Sequence, residues 1–77
     1  PCDYLKVDGS LLHIEDRRLA KGLLQVAKKL ADLLNAKVIV EGVETEEELA
    51  LVRSIGADFA QGWYFGQPID PAIASDN

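Results

Sequence analysis

Two hydrophobic periods alternate along the chain. The first apolar run, Tyr4-Leu5-Lys6-Val7-Asp8-Gly9, is short and ended by Gly9-Ser10, which predicts a strand of about five residues. Asp16 then has the character of a helix N-cap, and Leu19, Leu23, Val26, Leu30 and Leu33 come after it at helical spacing. Ala20, Leu24, Ala27 and Leu34 widen that stripe, which predicts a helix lying on a sheet, with Arg17, Lys21, Lys28 and Lys29 towards water. Gly22 weakens this helix by roughly 1 kcal/mol against alanine. Asn35 suits its left-handed end. A β-branched run, Lys37 to Val43, predicts a strand covered on both faces and therefore a parallel one. Thr45 and Glu48 have capping-box spacing, Leu49, Val52 and Ile55 form a second stripe, and Gly56 stops it. Asp58 to Trp63 predicts a third strand, with Phe65 as its furthest extent, before Gly66-Gln67-Pro68 breaks the pattern. Residues 70–77 are expected to fray. The order is βαβαβ, with right-handed crossovers between parallel strands.

Strand pleating sorts these residues into faces. Tyr4, Lys6 and Asp8 share one face of the first strand, Lys37, Ile39 and Glu41 one face of the second, and Phe59, Gln61 and Trp63 one face of the third. The opposite faces are small or aliphatic and suit the helices. Lys6, Glu41 and Gln61 thus converge near the C-terminal strand ends, where parallel α/β folds bind ligands. A lysine, a carboxylate and a carboxamide there can bind phosphate, accept a proton or ligate metal, and orient water. Mutual neutralisation of Lys6 and Glu41 between adjacent strands is the competing reading, and the pattern alone leaves both open.

Composition narrows the class. Of 77 residues, 48% are apolar and 27% charged, which excludes a disordered tail. Eight basic against 13 acidic residues give a net charge of −5, the wrong sign for a nonspecific nucleic-acid binder. The longest uncharged run of strong hydrophobes, Val38-Ile39-Val40, is far short of the ~20 residues of a membrane span. No signal segment opens the chain, and the single Cys2 fits a reducing compartment.

Three segments carry a resemblance. Tyr4-Leu5-Lys6-Val7-Asp8-Gly9-Ser10, Val40-Glu41-Gly42-Val43-Glu44-Thr45 and Asp58-Phe59-Ala60-Gln61-Gly62-Trp63-Tyr64-Phe65-Gly66 resemble, in order, the last three motifs of the EAL domain. That family hydrolyses bacterial cyclic di-GMP to linear pGpG on a (β/α)8-type barrel with Mg²⁺ or Mn²⁺. The resemblance implies that residues 1–77 are the C-terminal part of one such barrel, its last three strands. It implies that Lys6 contacts the attacking water or scissile phosphate, that Glu41 is metal ligand and general base, and that Gln61 supports water or substrate. Asp8 and Glu44 match in a supporting or structural role. Gln67 stands where arginine is common and Leu11 where phenylalanine is usual. The implied partners are cyclic di-GMP and the rest of the barrel, in the bacterial cytoplasm. A homodimer and a membrane tether through other domains stay open; contact of this segment with nucleic acid or membrane is not expected.

The Glu-Ala-Leu signature and the other metal-binding motifs are not among these residues, and a (β/α)8 barrel needs about 250 residues. The 77 residues are therefore expected to be inactive alone. Their open strand edges and apolar sheet face predict self-association or poor folding of the isolated 77 residues. Two rivals remain: a degenerate EAL domain that binds cyclic di-GMP or a protein partner without hydrolysis, and an unrelated barrel piece with a phosphate site after its last two strands, which Gly42 and Gly62 permit. His13, with no second histidine or usable cysteine, reads as a loop residue rather than a metal ligand. Glu44, Glu46, Glu47 and Glu48 read as the negative charge favoured at a helix N-terminus, Glu44 being the one kept open. Trp63, Tyr64 and Phe65 read as rim packing rather than a guanine stack.

Overall fold

A computed structural model describes residues 3–62 and 69–71 of the chain. Strand β1 (Tyr4–Val7) leads through a 3-10 helix (Gly9–His13) to helix α1 (Arg17–Leu33). Strand β2 (Lys37–Val40), helix α2 (Glu46–Ser54) and strand β3 (Phe59–Ala60) come next. The three strands form one parallel sheet in the order β1-β2-β3. The expected βαβαβ piece is therefore what forms. Its register pairs Lys6 with Ile39 and Val7 with Val40, then Ile39 with Phe59 and Val40 with Ala60.

Local chemistry explains the boundaries. Asp16 Oδ1 accepts from the N–H groups of Arg18 (3.1 Å) and Leu19 (3.2 Å), two of the donors left orphaned at the start of α1. Asn35 closes α1 with φ 57°, and Gly56 ends the turn after α2 with φ 78°. Thr45 Oγ1 accepts from Glu48 N–H at 3.0 Å, while Glu48 reaches back to Glu44 N–H at 2.8 Å, one residue beyond the usual capping-box partner.

Each strand is shorter than its sequence pattern. β2 ends at Val40 rather than Val43, because Gly42 takes φ 76° and turns the chain out of the ladder. β1 ends at Val7, because Asp8 caps the 3-10 helix by accepting Ser10 N–H at 2.9 Å. β3 keeps only Phe59 and Ala60; at Ala60 both backbone groups turn to Ile69, in an antiparallel bridge of 2.7 and 2.8 Å. Pro71 is buried, so packing continues into the segment expected to fray. Cys2, Trp63, Tyr64, Phe65, Gln67 and residues 72–77 lie outside the described residues.

The largest correction concerns α1. Its sheet-facing side is Ala20, Leu24 and Ala31, all fully buried, with Ala27 packed against the same core. Of the stripe expected on the sheet, Ala20, Leu24 and Ala27 do meet the core, whereas Leu19, Leu23, Val26, Leu30, Leu33 and Leu34 are 37–80% exposed. Leucines dominate a hydrophobicity pattern, but alanines let the helix approach the sheet closely. Val7, Leu12, Val38, Val40, Val43, Val52 and Ala60 complete the core between sheet and helices. On the other face the rings of Tyr4 and Phe59 stand 5.9 Å apart, and Ile39, on the strand between them, is 8% exposed.

Candidate functional site at the strand ends

Glu41 and Gln61 each stand one residue beyond a strand, and the ladder carries on through their backbones. Glu41 N–H donates to Val7 O and Gln61 N–H to Val40 O, both at 2.9 Å. Val43 N–H then donates to Gln61 O at 3.1 Å, so the loops leaving β2 and β3 are joined above the sheet. Lys6 lies inside β1, level with Ile39 and Phe59, one row below Glu41. It is exposed, whereas Glu41 and Gln61 are half-buried. Among the described residues no ion pair joins Lys6 to Glu41, so the self-neutralised pair is not what forms. Both charges stay open to a ligand.

Glycines make this spacing. A methyl group at Gly9 would overlap the Glu41 carbonyl, and one at Gly62 would overlap the carbonyl of Val43. The loops after β1 and β3 therefore touch the loop after β2 backbone to backbone. No side chain separates them.

Three supporting residues surround this mouth. Asp8, the cap of the 3-10 helix, sits immediately after β1. Glu44 is half-exposed with its Oε1 3.6 Å from His13 Nε2. Glu48 Oε2 lies 3.3 Å from the same nitrogen. His13, expected to be a loop residue without partners, thus ties the segment after β1 to the start of α2. Over 30 residues separate it from the glutamates, and only the β1–β2 pairing brings them together, so local pattern gives no signal of it. One imidazole nitrogen and two carboxylate oxygens, from His13, Glu44 and Glu48, lie within 4.8 Å of one another, close enough to share a metal ion, although exposed acidic groups often gather without one. The Glu41 carboxylate at the strand ends is free of ion pairs among the described residues.

The EAL domain profile matches residues 1–68. The chain belongs to the EAL domain family. A cyclic di-GMP phosphodiesterase of Pseudomonas aeruginosa, NbdA, is 35% identical over 81 residues, covering 99% of this chain and 10% of its own length. PdeA of Borreliella burgdorferi, also a cyclic di-GMP phosphodiesterase, is 36% identical over 72 residues, covering 90% of this chain and 11% of its own. The EAL enzyme Bd1971, solved with cAMP and cyclic di-GMP bound, superposes with a TM-score of 0.74 at 31% identity, over 99% of this chain and 20% of that one. A standalone EAL protein of Vibrio cholerae bound to cyclic di-GMP gives 0.73 at 28% identity, over 90% and 30%. The EAL chain thus spans about a tenth of the length of these curated relatives.

Proposed function

We propose that this EAL segment supplies part of the active site of a bacterial, metal-dependent cyclic di-GMP phosphodiesterase, with Lys6, Glu41 and Gln61 as its contribution. The observation that carries the reading is the position of Glu41. It comes directly after a parallel strand, is half-buried and is free of ion pairs among the described residues, at the level where such folds place their chemistry. The relatives named as cyclic di-GMP phosphodiesterases support the substrate.

In this reading the Lys6 ammonium binds a phosphate oxygen and offsets charge that grows as water attacks phosphorus. The Gln61 carboxamide holds the water by hydrogen bonds, and a Glu41 carboxylate oxygen takes its proton. Water supplies the oxygen as one phosphodiester bond opens, giving linear pGpG. Glu41 would also ligate Mg²⁺ or Mn²⁺, which when bound acidifies water and polarises the phosphate. A two-metal centre needs further carboxylates; Asp8 and Glu44 each have one oxygen engaged, by Ser10 N–H and by His13, and the remaining ligands would come from the rest of the domain.

Glu41→Gln in a complete EAL domain carrying these residues tests the assignment. Turnover should fall by at least about 10²–10⁴-fold, the loss expected for a positioned acid–base group. Glu46→Gln, the same charge change in the first turn of α2, should leave turnover nearly intact. Equal turnover in both variants would refute the role of Glu41. Binding of cyclic di-GMP by the unsubstituted domain without cleavage, with Mg²⁺ or Mn²⁺ present, would make it a sensor instead.

A further inference from the structure

The side chains between the loop after β1 and the start of α2 are spaced for more than ion pairing. His13 Nε2 lies 3.6 Å from Glu44 Oε1 and 3.3 Å from Glu48 Oε2. Both distances exceed that of an N–H···O hydrogen bond, about 2.7–3.2 Å. They match the separation of neighbouring ligands around a tetrahedral zinc ion, roughly 3.3–3.5 Å for bonds of about 2.0–2.2 Å. All three ligand atoms lie within 4.8 Å of one another, and rotation of the half-exposed Glu44 side chain can close the gap between the two carboxylates. Glu48 is the fixed member. Its side chain is 10% exposed, and its Oε1 accepts Glu44 N–H at 2.8 Å, which leaves Oε2 towards His13. A carboxylate ligand anchored through its second oxygen is how metal sites hold their donors in place. The partial positive charge at the start of α2 opposes a cation, but Glu46, Glu47 and Glu48 in its first turn, with Glu44 just before it, outweigh that charge.

We propose that His13, Glu44 and Glu48 form a zinc site, separate from the residues assigned to the reaction. His13 Nε2, Glu44 Oε1 and Glu48 Oε2 supply three ligands, and water takes the fourth position on the exposed side. The imidazole decides the class of ion. Mg²⁺ and Ca²⁺ take all-oxygen shells, whereas one imidazole with two carboxylates suits zinc. The two carboxylates balance the charge of the ion. Its ligands come from two segments that only the β1–β2 pairing brings together: His13 ends the 3-10 helix after β1, and Glu44 and Glu48 flank the N-cap of α2. A bound ion therefore clamps the loop after β1 to the loop after β2, beside the contact of Gly9 with Glu41. The site includes none of Lys6, Glu41 and Gln61 and does not depend on the catalytic reading above.

Two measurements on a complete EAL-domain protein carrying these residues test it. After dialysis against Zn²⁺ with Mg²⁺ in excess, the unsubstituted protein should hold one more zinc ion per chain than His13→Ala or Glu48→Gln, counted by elemental mass spectrometry. Glu48→Gln keeps a carbonyl oxygen for Glu44 N–H, so it removes the ligand and spares the cap. The second measurement needs no substitution. Acylation of the His13 imidazole by diethylpyrocarbonate, read by peptide mass spectrometry, should slow about a hundredfold at a hundredfold excess of Zn²⁺ over Kd, because only the unoccupied fraction reacts. Mg²⁺ at the same concentration should leave the rate unchanged. Undiminished zinc content in either variant, or acylation indifferent to Zn²⁺, would overturn the site and leave an ion-paired histidine. Equal protection by Mg²⁺ would overturn the assignment to zinc.

Discussion

His13 Nε2 sits 3.3 Å from Oε2 of Glu48, whose other carboxylate oxygen accepts the backbone N–H of Glu44 at 2.8 Å. One glutamate thus fastens the start of α2 both to its own loop and to the loop after β1. The two ties differ in exposure. The Glu48 side chain is 10% exposed and His13 is 51%. Glu48→Ala should therefore cost about 0.5–2 kcal/mol, as loss of a cap does, whereas His13→Ala should cost about 0–1 kcal/mol because water screens the pair. Urea denaturation of a complete EAL domain carrying each substitution measures both. An equal or larger loss for His13→Ala would show that the outer tie dominates.

Two glycines should respond in opposite directions. Gly9→Ala forces a methyl group into the Glu41 carbonyl and should destabilise by about 1–3 kcal/mol or more, since backbone cannot swing aside like a flexible side chain. Gly22 has nothing within 4 Å of an added Cβ and lies inside α1, so Gly22→Ala should stabilise by about 0.5–1 kcal/mol. Thermal melts of the two variants decide the signs.

Asp58 Oδ2 accepts Val38 N–H at 2.9 Å from a half-buried position, joining the start of β3 to β2. Asp58→Ala should cost about 1–3 kcal/mol by leaving that donor unpaired. Asp58→Asn, which keeps an acceptor, should recover most of it in the same denaturation experiment.

Metal binding offers a readout apart from turnover. If Glu41 holds the ion, saturating Mn²⁺ should raise the unfolding free energy of a complete domain, by about 2.7 kcal/mol at a hundredfold excess over Kd. Chelation should abolish the gain, and Glu41→Gln should reduce it. An undiminished gain in Glu41→Gln would remove the carboxylate from the ligand set.

The order of elements and their caps were legible in the sequence because their causes are local. Asp16, Thr45, Asn35 and Gly56 act within one helical turn of themselves. Glu41 and Gln61 were singled out because a pleat of period two puts each on a defined face near the C-terminal end of its strand, although both strands end one residue before them. The features that pattern concealed depend on contacts distant in sequence. Leu19 outweighs Ala20 in a hydrophobicity pattern, yet Ala20 meets the sheet and Leu19 does not, so the larger residues pulled the expected stripe towards the exposed side of α1. The partners of His13, the bridge from Ala60 to Ile69 and the contact of Gly9 with Glu41 exist only once the strands pair.

The glycine contacts also separate two properties of the mouth that usually vary together. Its width is set by main chain resting on main chain at Gly9 and Gly62, whereas Glu41 and Gln61 are side chains rooted one residue beyond β2 and β3. Substitution at position 41 or 61 therefore alters chemistry without altering spacing, and no rotamer of either residue widens the gap. Homologous domains could exchange a cleaving set of side chains for a merely binding one on an unchanged frame. Superposed backbones at these loops would then tell nothing of which of the two a given domain does.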